Sequence, residues 1–141
     1  MIAKTVKYQD YNGNDCEDKF YFNLTKAELT EMELGIDGGL AEHIKKVVAD
    51  NNGEEIINVF KKLILKSYGV KSEDGKRFRK TNDNGVPLSI EFSETPAYSA
   101  LFMELATDDK SAAEFVNGIV PSDLANAAKA EVAKENAKNN S

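Results

Sequence analysis

Residues 95–121 read TPAYSALFMELATDDKSAAEFVNGIVP, and this stretch contains two start signals for helices. Thr95 is a good N-cap, and Pro96 follows at the first helical position, where the N–H that proline lacks would have no partner in any case. Ser111 and Glu114 have the spacing of a capping box, at which a second helix would begin. Apolar residues recur at helical spacing on both sides of a polar corner. The stretch therefore predicts a helical hairpin.

The first 24 residues have the alternating pattern of a β-hairpin. Apolar residues alternate with polar ones over residues 2–8, and the same alternation returns over residues 20–24. Between these segments, Asn12 and Gly13 are residues that readily adopt the positive φ angles of a tight turn. Two half-buried antiparallel strands are predicted.

Three further helices are predicted between this hairpin and the middle of the chain. Thr25 and Glu28 form a capping box, which starts a helix that Gly35 ends. An apolar stripe over residues 40–48 predicts the second helix. The third starts directly after the turn at residues 51–53 and is ended by Tyr68 and Gly69, and it is the most apolar segment of the protein. Its stripe is too broad for a surface helix, so we expect it at the centre of the fold.

The remaining segments are more polar. Residues 71–87 alternate charged residues with turn formers, which predicts a polar loop or a short exposed hairpin. Leu88, Ile90 and Phe92 alternate with polar residues and predict one short strand. Residues 122–141 are rich in alanine but have only two sizeable apolar side chains. This tail is expected to fray because it has little to bury.

Together these segments predict one α+β domain over residues 1–121, followed by a weakly packed or disordered tail over residues 122–141. The N-terminal β-hairpin would pack on a mainly helical core of about five short helices, because each apolar stripe needs another element to cover it. A chain of 141 residues is long enough to bury a core of this kind.

The composition is that of a folded, soluble protein, with 41% apolar and 30% charged residues. The longest apolar runs are a few residues, far short of the roughly 20 that a membrane span needs. The first residues lack the apolar core of a signal peptide. Cys16 is the only cysteine, so one chain cannot form an internal disulfide. We expect a cytoplasmic protein that does not enter the membrane.

No motif for catalysis or metal binding stands out. His43 is the only histidine, and its place at the edge of a helical stripe favours an ordinary surface residue. Neither paired cysteines nor an HExxH motif is present, and no glycine-rich phosphate loop follows a strand. Residues 50–55, DNNGEE, lack the alternating ligands of a calcium loop. We therefore expect a protein that is not an enzyme and that needs no metal and no cofactor.

The net charge of −6 argues against general nucleic-acid binding, but it hides an asymmetry. Residues 61–80 contain eight basic side chains against two acidic ones. Part of this segment, KRFRK, is able to hold phosphate or RNA, while solvated charges or an acidic protein partner are competing interpretations. Our hypothesis is a mobile basic loop that contacts an acidic protein surface, including that of another copy. Its candidate residues are Lys76, Arg77, Arg79 and Lys80.

Three segments resemble a known protein family: FYFNLTKAELTEME, FKKLILKSYGVKSEDGKRF and FSETPAYSALFMELATDDKSAAEFVNGIVP. They are similar to the tail assembly chaperones, small proteins encoded ahead of the tape-measure protein in long-tailed bacteriophages and prophages. The resemblance covers roughly residues 18–121. It implies a non-enzymatic protein whose copies coat the apolar tape-measure protein in the host bacterial cytoplasm and help to bring the tail-tube protein to it. That family is mainly helical, so the N-terminal hairpin departs from its pattern.

The resemblance turns the helical hairpin into a candidate binding surface. An apolar stripe that is left uncovered in one copy suits helix-in-groove binding or self-association. We predict contact with the tape-measure protein through Leu101, Phe102, Phe115 and Ile119. The competing interpretation is that these residues belong to the core. Two other functions stay open: a structural or connector protein of the virion, and a small RNA- or phosphate-binding module that uses residues 76–80.

Overall fold

The computed structural model describes residues 1–34 and 53–121. They form four strands and five helices, which confirms the predicted α+β class with its N-terminal hairpin. The elements are β1 (Ile2–Gln9), β2 (Asp15–Phe22), α1 (Lys26–Leu34), α2 (Gly53–Ser67), β3 (Tyr68–Lys71), β4 (Phe78–Arg79), α3 (Leu88–Ser93), α4 (Pro96–Thr107) and α5 (Asp109–Ile119). The helix predicted from the stripe over residues 40–48 and the predicted tail, residues 122–141, lie outside the described residues.

The four strands form one antiparallel sheet in the order β1-β2-β3-β4. β1 and β2 pair along their whole length, and the predicted turn lies between them. Oδ1 of Asp10 accepts hydrogen bonds from the backbone N–H groups of Asn12 and Asn14, both at 2.9 Å. Gly13 has a φ of 86°, a conformation that glycine adopts without strain. The side chain of Asp10 thus stabilises the turn.

One face of the β1-β2 hairpin is covered by α4 and α5. Val6 and Phe22 are buried on this face, as the alternation predicts. Lys4 lies on the same side of β1, and its Nζ is 3.0 Å from Oε2 of Glu104 on α4. α5 approaches β1 so closely that a Cβ atom at Gly118 would lie 2.7 Å from Cβ of Ile2. Only glycine allows this approach without a shift of the helix.

Aromatic rings from several elements meet in the core. Phe22 of β2 lies edge-on to Phe115 of α5, with ring centroids 5.2 Å apart. Tyr68 of β3 stacks on Phe92 of α3 at 4.2 Å, and the ring of Phe92 also contacts Tyr98 of α4 at 5.9 Å. These contacts connect the sheet to three helices, so the hairpin and the helices share a single core.

The short segment between β2 and α1 joins several elements. The backbone N–H of Asn23 donates to the carbonyl of Ser67 at 2.8 Å, and that of Leu24 donates to the carbonyl of Ile119 at 2.7 Å. The predicted capping box is present: the backbone N–H of Thr25 donates to the Glu28 carboxylate at 3.0 Å, and that of Glu28 donates to the Thr25 hydroxyl at 3.1 Å. α1 begins at Lys26, as predicted.

The predicted strand over residues 88–92 is wrong, because this segment is the helix α3. Pro87 stands at its N-cap position, and a bridge between Thr81 and Pro87 closes the preceding loop. An apolar run this short fits either period, and packing decides between them. In the helix, Phe92 is buried against Tyr68 while Ile90 faces solvent. A strand would have put both on one face.

The cap predicted for the last helix is also misplaced. α5 begins at Asp109, and its N-cap is Asp108, whose Oδ1 accepts from the backbone N–H groups of Lys110 and Ser111. The hydrogen bond from Ser111 is the main reason that the pKa of Asp108 lies below its ordinary value. Asp108 is preferred because α4 ends at Thr107, so one residue forms the whole corner. The helical hairpin itself is confirmed.

Residues 71–87 contain the short hairpin that was one of the two predicted alternatives. Its strands are β3 and β4, and Val70 pairs with Arg79. The first strand begins earlier than predicted, at Tyr68, directly after α2. β3 pairs with only the last two residues of β2, so the rest of the β1-β2 hairpin extends beyond β3.

Tyr8, near the far end of the β1-β2 hairpin, has a hydrogen bond that should change its titration at alkaline pH. The Tyr8 hydroxyl donates to the Asp18 carboxylate, and this bond is the main cause that raises the pKa of Tyr8 from 10.0 to about 12. The folded chain keeps this proton where the unfolded chain has lost it, so stability falls as the pH rises from 10 through 12. We expect Asp18→Asn to bring the midpoint of Tyr8 down towards 10, as followed by NMR of the tyrosine ring carbons. Equal midpoints in both proteins would contradict this assignment.

Candidate functional site

The structure places most of the predicted partner-binding residues inside the protein. Leu101, Phe115 and Ile119 are fully buried in the core. Phe102 is half-buried, with its ring 6.1 Å from that of Tyr98. A partner has no access to the first three in this conformation. Whether any of the four contacts a partner stays a prediction, and only Phe102 has surface to offer.

The outer side of α4 carries an apolar surface that the sequence interpretation missed. The buried residues Ala97, Leu101 and Leu105 recur every four positions and face the core. The side of the helix turned away from the core carries Ser99, Met103 and Ala106, and Phe102 lies at its edge; we call these four residues the α4 surface. Met103 is 54% exposed, so its side chain is accessible to a partner. A helical-wheel count from the buried stripe would have separated the two sides.

The four predicted basic residues do not act as one cluster. Lys76 and Arg77 are exposed in the turn between β3 and β4. The guanidinium of Arg79 is paired with Asp83, with Nη2 and Oδ1 2.9 Å apart. Lys80 points the other way, into the protein. Of the four, Lys76 and Arg77 fit the predicted exposed basic loop best.

The half-buried ammonium group of Lys80 connects three parts of the chain. Its Nζ donates to the carbonyl of Lys66 at 2.6 Å and to the carbonyl of Asn23 at 2.8 Å, and it lies 3.0 Å from Oε2 of Glu28. Burial lowers the pKa of the Lys80 ammonium, although the Glu28 carboxylate opposes this effect. Burial alone would raise the pKa of Glu28, but the Thr25 N–H and Lys80 outweigh it, so that pKa is lowered. Lys80 is therefore a structural ion-pair residue.

Beside Lys80 lies a cleft of about 520 Å³ between α2, the start of α1 and the segment from Lys80 to Ser89. We call it the basic cleft. Its described lining consists of Glu28, Asn58, Lys61, Lys62, Leu65, Lys66, Tyr68, Lys80, Thr81, Pro87 and Ser89. Because Glu28 is paired with Lys80, the cleft keeps an excess of positive charge from the three lysines of α2. The run of basic residues from 61 to 80 was the sequence signal for it.

Chemistry of other kinds finds little support in the part of the chain that the structure describes. Over residues 1–34 and 53–121, no three side chains among His, Cys, Asp and Glu come together as a metal site. None of the described helices has the length and apolar character to cross a membrane. The Cys16 thiol lies near the turn of the β1-β2 hairpin, where burial is the main cause that raises its pKa.

Comparisons with known proteins agree with the resemblance seen in the sequence. A family model described as phage tail assembly chaperone matches residues 1–141. No curated protein and no solved structure matches the chain. The family match includes the N-terminal hairpin, which therefore falls within the family's own pattern. By this match over its whole length, the chain belongs to the phage tail assembly chaperone family.

Proposed function

We propose that this chain binds the tape-measure protein of its phage and keeps it soluble while the tail is assembled. It acts in the host bacterial cytoplasm, without catalysing a reaction, and the tail-tube protein is its second partner. The observation that carries the proposal is the family match over residues 1–141. The choice of the tape-measure protein as the partner rests on the resemblance of the helical hairpin to that family.

The α4 surface is the region that suits such a partner. It presents Met103 and part of Phe102 beside the small residues Ser99 and Ala106, so an apolar helix is able to approach closely. A methionine side chain adapts to irregular apolar partners because it is unbranched and flexible. Leu101 of α4 and Phe115 of α5 are buried in one core, which holds the helix in place.

Co-expression with the tape-measure protein tests the proposal. We expect Met103→Asp to reduce the soluble fraction of tape-measure protein several-fold, because a carboxylate would have to be desolvated against an apolar partner. Its melting temperature should stay close to that of the parent, since surface substitutions usually change stability by no more than about 0.5 kcal/mol. Soluble and pelleted tape-measure protein are compared on gels after lysis.

Val86→Asp is the matched control. Val86 is 43% exposed and lies in the loop before α3, not on α4. This variant should keep the tape-measure protein as soluble as the parent does. If Met103→Asp performs like Val86→Asp, the binding surface lies elsewhere. If the parent does not solubilise the tape-measure protein and is instead found in purified virions, the chain is a virion component and the chaperone proposal is wrong.

A further inference from the structure

The basic cleft has an excess of positive charge and an apolar wall. Lys61, Lys62 and Lys66 line it from α2, and no residue within 1–34 or 53–121 forms an ion pair with their ammonium groups. Leu65 and Tyr68 supply apolar lining. Its volume of about 520 Å³ lies within the range of sites that hold small ligands or single side chains. A ligand with an aromatic group flanked by carboxylates would satisfy both features.

The chain itself carries such a group at the turn of the β1-β2 hairpin. Residues 10–18, which we call the hairpin tip, contain four acidic residues and no basic one. Tyr11, in the turn, is 85% exposed, the most exposed large apolar side chain in the described part of the chain. Asp10 and Asp18 are engaged within the hairpin, whereas Asp15 and Glu17 are exposed. Glu17 makes only a 4.0 Å contact with Lys7.

The hairpin tip is organised before any partner arrives. The two hydrogen bonds to Oδ1 of Asp10 and the positive φ of Gly13 hold the turn, and a backbone bond from Asp10 to Asn14 at 2.9 Å closes it. A rigid turn loses little conformational entropy on binding. Tyrosine adds a large contact area with few rotatable bonds, as binding loops often use it.

The tip and the basic cleft lie at opposite ends of β2, so one chain does not join them. β3, whose Tyr68 lines the cleft, pairs with β2 only at Tyr21 and Phe22. The strand from Asp15 to Tyr21 alone spans roughly 20 Å, and Tyr11 lies beyond it in the turn. The partner for the tip must therefore come from another molecule.

We propose that the hairpin tip of one copy docks in the basic cleft of a second copy. Tyr11 enters the cleft beside Leu65 and Tyr68, and the carboxylates of Asp15 and Glu17 pair with the lysines of α2. The two surfaces differ, so the contact is heterologous and leaves a free tip at one end and a free cleft at the other. Such a contact adds further copies head to tail, into a ring if the rotation closes and a filament if it does not.

The test uses the purified chain alone, so its result does not depend on tape-measure binding. By sedimentation velocity at low salt, we expect concentration-dependent assembly that is lost near 1 M salt, where the screening length falls to about 3 Å. Tyr11→Ala should weaken assembly by about 30-fold or more, the loss typical of an aromatic anchor. Lys62→Glu should weaken it about tenfold or more through charge reversal. Lys110→Glu makes the same change of charge on α5 and should leave assembly unaltered.

Mixing two defective proteins separates a heterologous contact from other modes of assembly. Lys61→Glu/Lys62→Glu keeps an intact tip, and Tyr11→Ala/Asp15→Lys keeps an intact cleft. Each alone should be monomeric, and an equimolar mixture should form a 1:1 dimer and nothing larger. A parent chain that stays monomeric at low salt would overturn the proposal, and so would assembly that both variants leave unchanged. Recovery of large assemblies in the mixture would also contradict it.

Discussion

Replacing Phe115 with alanine is expected to lower the free energy of unfolding by about 3–5 kcal/mol, as measured by urea denaturation. Phe115 is fully buried, and its ring lies edge-on to Phe22 across the core. Truncation removes that contact and leaves a cavity between α5 and the sheet, which the closely packed helix is poorly able to fill. Leu101→Ala and Ile119→Ala should cost about 2–5 kcal/mol for the same reason.

Phe102→Ala is the matched comparison on the same helical hairpin. Its ring is half-buried and lies at the outer edge of the core, so the loss should be clearly smaller than for Phe115→Ala. If Phe115→Ala costs no more than Phe102→Ala, the core assignment is wrong. In co-expression, a Phe115→Ala protein should lose tape-measure solubilisation only in proportion to the fraction that is unfolded. Met103→Asp should lose solubilisation while the protein remains folded.

Lys80→Met is the second substitution expected to have a large effect, and it should lower the free energy of unfolding by about 2–3 kcal/mol. It removes a charged donor from two backbone carbonyls, and a hydrogen bond to a charged group contributes about 1.5–3 kcal/mol to stability, net of the bonds to water that it replaces. It also leaves Glu28 without its cation. Three parts of the chain are then no longer joined: the segment before α1, the end of α2 and the segment that follows β4.

Two controls identify the cause of that loss. Lys76→Met removes a lysine that is exposed four residues earlier, and it should change stability by less than about 0.5 kcal/mol. Adding Glu28→Gln to Lys80→Met should recover part of the loss, because the uncompensated carboxylate is then gone while the amide oxygen still caps Thr25. Equal stabilities for Lys76→Met and Lys80→Met would show that Lys80 is a surface lysine after all.

Several elements follow from signals that act over a few residues. The capping box at Thr25 starts α1 at the predicted residue, and Pro96 stands at the first position of α4. Gly13 forms the predicted turn. Each of these signals depends only on nearby residues: a side chain caps a backbone group, or a residue adopts the backbone angle that its own position requires. Such preferences exist before the chain folds, so the sequence is sufficient to predict them.

The family could also be recognised from the chain alone, because the resemblance over residues 18–121 points to the same family as the model that matches residues 1–141. The arrangement of the basic residues could be predicted only in part. The excess of basic residues between 61 and 80 was visible, but Lys80 turned out to lie inward and three lysines of α2 to lie around a cleft. Composition reports how many charges a segment has, whereas their partners come from other segments.

What required the tertiary structure was the choice of which apolar residues face inward. Leu101, Phe102, Phe115 and Ile119 look alike in sequence, yet three are buried and Phe102 stays at the edge. Leu88–Ser93 is a helix because Phe92 packs on Tyr68, a residue 24 positions earlier. The spacing of apolar residues within the segment does not explain it. Burial is a property of packed surfaces that distant segments create together. Local pattern determined where most helices begin, and the meeting of those segments determined which side chains were left for a partner.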